Sequence, residues 1–145
     1  MTRDIMDFIE YIHNEKQTSK NTEVSYERDL RKLNEYLAGQ NICDAAAVTE
    51  TNLNAYVMFL EREGRKPATV SRSIASMKAF FHFLERERRI EADPAWRLKA
   101  PKIEKTMPRI LTTEEVTLLL EQPSGNTPKE LRDKAMLELL YATGI

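Results

Sequence analysis

Apolar residues recur at steps of three and four along nearly the whole chain, and no stretch alternates apolar with polar residues at every second position. That spacing fits the 3.6-residue turn of an α-helix and not the two-residue period of a half-buried strand, so every long element reads as helix. Only four glycines occur in 145 residues, and Gly39, Gly64 and Gly144 each stand where a helical pattern ends. Six helices are predicted. The first places Ile5, Phe8, Ile9 and Ile12 on one face, and the second carries Tyr26, Leu30, Leu33 and Leu37, with Ser19 or Asn21 as its cap. A third begins near Thr49, carries Leu53, Tyr56, Val57 and Leu60, and stops at Gly64, where a left-handed terminator is expected. The fourth takes Pro67 into its first turn and buries Val70, Ile74, Met77, Phe81 and Leu84. Four such helices with short connections predict an all-α, four-helix bundle over residues 1–91.

Between Ala92 and Arg109 the pattern breaks, because Pro94, Pro101 and Pro108 together cannot sustain a helix. This stretch, residues 92–109, reads as an interdomain linker that stays positive through Arg97, Lys99, Lys102, Lys105 and Arg109, with Trp96 pinning it to a neighbouring surface. Residues 110–145 resume the helical period. Thr112 and Glu115 have capping-box spacing, and Thr127, Pro128 and Glu130 suit N-cap, N1 and N3 of a last helix that closes at Gly144. Met136, Leu137, Leu139, Leu140, Tyr141 and Ala142 cover most of that helix's circumference. A helix apolar all round belongs inside something larger, so the expectation is a second domain barely begun and a truncated chain.

Several function classes are disfavoured by composition. No apolar stretch approaches the roughly 18 residues that span a bilayer, and Arg3, Asp4 and Asp7 near the start do not suit a signal peptide, so a cytoplasmic protein without a membrane partner is expected. Cys43 is the single cysteine and cannot form an internal disulfide, and with only His13 and His82 available no metal-ligand cluster is predicted. There is no glycine-rich phosphate loop and no Ser-His-Asp spacing, and the five tyrosines, Tyr11, Tyr26, Tyr36, Tyr56 and Tyr141, all sit in helical patterns that favour packing. No catalytic residue and no small-molecule substrate is assigned.

The net charge of −1 hides an uneven distribution. Residues 1–60 carry 6 basic and 10 acidic side chains, residues 61–109 carry 13 and 7, and residues 110–145 carry 3 and 6. A clustered basic region is what a phosphate backbone requires, because Lys and Arg displace condensed counterions. On the fourth helix Thr69, Arg72, Ser73 and Ser76 share a stripe at spacings of three, four and seven, flanked by Lys66 and Lys78. Arg forks onto guanine edges or phosphates and hydroxyls reach phosphate oxygens, so this stripe suits a groove-facing helix. The second helix offers Ser25, Arg28 and Lys32, with Lys20 and Thr22 at its N-terminus, where free N–H groups attract phosphate. Solvated helix faces paired to acidic neighbours are the competing interpretation of both stripes.

The string LRDKAMLELLYATGI, Leu131 to Ile145, resembles the start of the catalytic domain in Xer-type tyrosine recombinases of the phage integrase family. NTEVSYERDLRKLNEYL, from Asn21, resembles the second helix of that family's core-binding domain, and ATVSRSIASMKAFFHFLERE, from Ala68, its fourth. DPAWRLKAPK followed by MPRILTTEEVTLLL resembles the interdomain segment and first catalytic-domain helix. The resemblance covers essentially the whole chain and is nearest to the XerD branch. It implies a SAM-like core-binding bundle that lays its second and fourth helices against the major groove of double-stranded DNA. It also implies an enzyme that cuts and rejoins DNA at specific sites, in chromosome dimer resolution or integration, through a covalent phosphotyrosine and without a cofactor. Other recombinase protomers, four in the assembled synapse, are the implied protein partners. The family's catalytic set follows the ATG-hydrophobic motif that ends at Ile145, so no catalytic residue carries over, and the fragment is expected to be inactive alone.

Two other classes compete. A helical protein-interaction module would use its basic residues only for solubility, which the acidic first 60 residues favour. A helix-turn-helix regulator is disfavoured, because no short second helix follows a tight glycine turn.

Overall fold

A computed structural model describes residues 1–101 and 110–144. It divides the chain into two units, Met1–Glu104 and Lys105–Ile145. Among the described residues all regular structure is helical.

The first unit holds α1 (Thr2–Asn14), α2 (Lys20–Ala38), α3 (Glu50–Arg62) and α4 (Pro67–Arg86). Local chemistry sets their starts. The Ser19 hydroxyl accepts the Thr22 N–H at the head of α2, Thr49 and Asn52 form a reciprocal capping box ahead of α3, and Pro67 occupies the first turn of α4. Gly64 ends α3 at φ +70°, the left-handed region that only glycine enters without strain. Gly39 behaves differently: it stays right-handed at φ −61°, and the left-handed residue of that turn is Asn41 at φ +62°. A one-turn 3-10 helix, Ala45–Ala47, follows, its first turn capped by the Asp44 carboxylate, and it brings Ala45 and Val48 into the core. The sequence reading had no element there.

α4 is the central element and packs against α1, α2 and α3. Phe8 of α1 meets Phe80 edge-on at 5.6 Å, Phe80 meets Phe81 at 5.1 Å, and Leu30, Leu33, Leu53 and Leu84 are sealed around them. Each such side chain contributes about 1.5–3 kcal/mol on burial. The rim between α1 and α4 is closed by two arginines. Arg86 lies 4.2 Å over the Tyr11 ring and donates to its hydroxyl at 2.6 Å, while Arg89 donates to both Asp4 (3.0 Å) and Asp7 (2.7 Å).

The chain beyond α4 does not leave the bundle at Ala92. Asp93 accepts the Ala95 N–H at 2.7 Å, Ala95 and Leu98 are buried in the core, and Lys78 donates to the Trp96 carbonyl at 3.2 Å. Trp96 itself is 63% exposed, so the small apolar neighbours, and not the indole, anchor this stretch. The linker residues Lys102, Lys105, Pro108 and Arg109 lie outside the described residues, as does Ile145.

The second unit contains α5 (Thr113–Glu121) and α6 (Pro128–Thr143), which pack on each other. Both begin with complete capping boxes, Thr112 with Glu115 and Thr127 with Glu130, and Gly144 closes α6 at φ +63°. Neither helix buries a residue, and Leu118, Leu119, Leu131, Met136, Leu139, Leu140 and Tyr141 are exposed. No described helix is long and apolar enough to cross a membrane.

Candidate nucleic-acid interface

The two polar stripes meet at one ion pair. Arg72 of α4 donates from Nε to Asp29 Oδ2 at 2.8 Å and from Nη2 to Asp29 Oδ1 at 3.1 Å, a bidentate bridge between α4 and α2. The Asp29 side chain is 5% exposed and that of Arg72 36%, so the carboxylate is sunk in the seam while the guanidinium reaches its rim. The hydrogen bonds to Asp29 hold Arg72 charged beyond its already high affinity for the proton. Behind the pair stands Tyr56 of α3, 1% exposed, whose phenol is pushed up to about 12 by burial and then by the negative charge of Asp29.

Around this seam the remaining candidates separate into two groups. Ser25 and Lys32 lie one turn to either side of Asp29 on α2, and Arg28 precedes it. Arg28 and Lys32 are exposed, Ser25 and Thr22 half-buried, and Lys20 is exposed at the N-terminus of α2. On α4, Thr69 lies one turn before Arg72 and is half-buried, and Lys66 is exposed at the helix start. Lys20, Arg28, Lys32 and Lys66 form no ion pair among the described residues, whereas Arg31 is taken by Glu27 at 2.7 Å.

Three candidates do not stand where the spacing put them. Ser73 and Ser76 are buried, at 3% and 0% exposure. Because α4 touches three other helices, its buried arc is wider than the apolar stripe and takes in these small residues. Ser76 satisfies its hydroxyl by donating to the Ser73 carbonyl at 2.8 Å, and the Ser73 side chain acts on the nearby Tyr56 phenol, partly offsetting the rise that burial gives it. Lys78, half-buried on another face of α4, is occupied with the Trp96 carbonyl. Neither serine offers its hydroxyl at the surface, and Lys78 belongs to the anchoring of residues 92–98.

Asp29 is the residue of this seam that the sequence reading missed, whereas Tyr56 is packed as its helical position predicts. The signal was present, since Asp29 stands between Tyr26, Leu30 and Leu33 on the apolar side of its helix, where a carboxylate requires a cationic partner. A further grouping also went unread: His82, Glu85 and Asp93 bring ligand atoms within 4.8 Å of one another. His82 and Glu85 are exposed, and the positive Lys78 acts on Asp93 at the same place, so the grouping is a surface cluster open to water.

Comparison with known proteins bears on what this surface meets. Residues 5–88 match the family described as phage integrase, N-terminal SAM-like domain. A protein of Caldanaerobacter subterraneus subsp. tengcongensis whose name places it among the tyrosine recombinases is 43% identical over 96% of this chain and 48% of its own length. The tyrosine recombinase XerD of Listeria innocua serovar 6a is 36% identical over 97% of this chain and 48% of its own, and the tyrosine recombinase XerC of Roseiflexus castenholzii 37% over 100% and 46%. The chain therefore spans about half the length of these curated relatives.

Proposed function

This chain belongs to the phage integrase N-terminal SAM-like family and to the Xer-type tyrosine recombinases, and from that membership we propose that its four-helix bundle grips duplex DNA through α2 and α4. The observation that carries the proposal is the Asp29–Arg72 bridge, which holds the two helices side by side with cations on both that form no ion pair among the described residues. Arg28, Lys32 and Lys20 of α2 and its N-terminus, and Lys66 at the head of α4, supply counterion release along a phosphate backbone. In this reading Ser25 and Thr69, and Thr22, whose hydroxyl also pairs with that of Ser19 at 2.9 Å, add contacts to phosphate oxygens at the edge of the same surface. The grip serves a protein that cuts and rejoins DNA at specific sites in company with other protomers of its kind, the chemistry being carried by parts of the family's architecture that this surface does not contain.

The test is a gel-shift titration of the 145-residue chain on duplex DNA across a range of salt. Each of Arg28→Ala, Lys32→Ala and Lys66→Ala is expected to weaken binding and to lower the slope of log K against log salt by about 0.9. Lys129→Ala, on α6, is the control and should bind as wild type does. Equal binding by all four variants would transfer the assignment to the protein-interaction reading.

A further inference from the structure

We propose that Arg72 reads a guanine base in the major groove and that Asp29 is the positioning residue that aims it. The proposal rests on the DNA-gripping function above and adds to it a specific base.

The geometry of the guanidinium carries the argument. An arginine head presents two hydrogen-bonding edges, one formed by Nε and Nη2 and the other by Nη1 and Nη2. Asp29 occupies the first edge with two hydrogen bonds, at 2.8 and 3.1 Å. Among the described residues Nη1 has no hydrogen-bond partner and no buried side-chain nitrogen or oxygen is left unpartnered, so Nη1 is not buried without a partner and faces the rim of the seam. The outer edge therefore offers two parallel N–H groups facing away from the carboxylate, in the fork that matches O6 and N7 of guanine.

Charge decides between a base and a phosphate as the acceptor. Arg72 and Asp29 together carry no net charge, and a carboxylate about 3 Å behind the guanidinium opposes the approach of a second anion. Attraction to phosphate is thereby cancelled, while the directional hydrogen bonds of the outer edge survive, and these suit the neutral, polar guanine edge. The work of phosphate attraction falls to Arg28, Lys32 and Lys66, which have no acidic partner among the described residues. Immobility adds to the effect: Asp29 is nearly inaccessible, with Leu30, Leu33 and Tyr56 buried around its end of the seam, so Arg72 meets the groove with its side chain already ordered.

The experiment is selection of bound duplexes from a pool with a randomised segment, followed by gel shifts on the selected duplex and on versions changed one base pair at a time. The wild-type chain and the variants Arg72→Lys, Arg72→Ala, Asp29→Asn and Arg28→Ala are compared, with circular dichroism and urea midpoints to establish folding. Wild type is expected to enrich guanine at a position where substitution lowers affinity about 5- to 150-fold. Arg72→Lys, which keeps the charge and a bond to Asp29, should lose that preference with an unchanged salt slope. Asp29→Asn should relax the same preference and steepen the salt slope by about 0.9, because it frees a positive charge. Arg28→Ala should lower the slope and leave the preference intact. A guanine preference that survives Arg72→Lys, or an Arg72→Ala variant that loses salt slope without losing base preference, overturns the assignment while leaving DNA binding standing. Failure of the wild type to bind any duplex removes the gripping function itself.

Discussion

Tyr56 is buried at 1% exposure with its phenol pushed up to about 12, against 10.0 for a free tyrosine. The folded state therefore holds this proton more tightly than the unfolded chain does. The stabilisation is complete below about pH 10 and is lost as pH rises through 12, a decline on the order of 2 kcal/mol. Urea denaturation from pH 9 to 12 should show a steeper fall for wild type than for Tyr56→Phe, whose missing hydroxyl removes this contribution and leaves the titrating lysines common to both. Equal slopes would mean that the phenol is not held neutral by the fold. Single residues were also where sequence reasoning was least complete. Arg72 was singled out from its stripe, but its partner Asp29 is 43 positions away, and periodicity on one helix says nothing about which side chain of another helix it faces. Ser73 and Ser76 were misplaced for a related reason: the width of a buried arc depends on how many neighbours a helix has.

At the scale of the element, sequence and structure agree closely, because caps are decided within four residues. Thr49, Thr112 and Thr127 all head capping boxes, and Pro67 and Pro128 both sit in first turns. The one-turn helix at Ala45–Ala47 was illegible, since three alanines are too short to show a period. The two bundle glycines make a contrasting pair. Gly64 has φ +70° and open space where a Cβ would stand, so Gly64→Ala meets no clash and its cost is conformational, about 1–2 kcal/mol. Gly39 is right-handed, and a Cβ there would meet the Tyr36 carbonyl at 3.4 Å, an ordinary contact. Gly39→Ala should leave stability unchanged or raise it by about 0.4–1 kcal/mol, through a less flexible unfolded chain. Urea midpoints that move in the same direction for both substitutions would contradict the backbone assignment.

Over the whole molecule, the all-α architecture and the four helices of the first unit could be read from the pattern alone, whereas the packing of residues 92–98 onto them and the fate of the charge could not. Arg86 and Arg89 count toward the basic middle of the sequence, yet α1 absorbs both through Tyr11, Glu15, Asp4 and Asp7, so the cations left for a partner are fewer than composition suggests. The two units differ in what protects them. Leu30, Leu33, Phe80 and Phe81 are sealed, while α5 and α6 bury no residue, so amide exchange should be slowest in α2 and α4 and fast throughout α5 and α6 of the 145-residue chain. Comparable protection in both would show that the second unit has a core of its own. The exposure of Trp96 has an optical consequence. It is the only indole in the sequence, it lies outside the core, and Arg97 is its close companion at 4.8 Å. Its emission is therefore already that of a wetted chromophore in the native state and will barely change colour when the bundle melts, leaving the tyrosines to report unfolding and the indole to report whatever comes to rest beside residue 96.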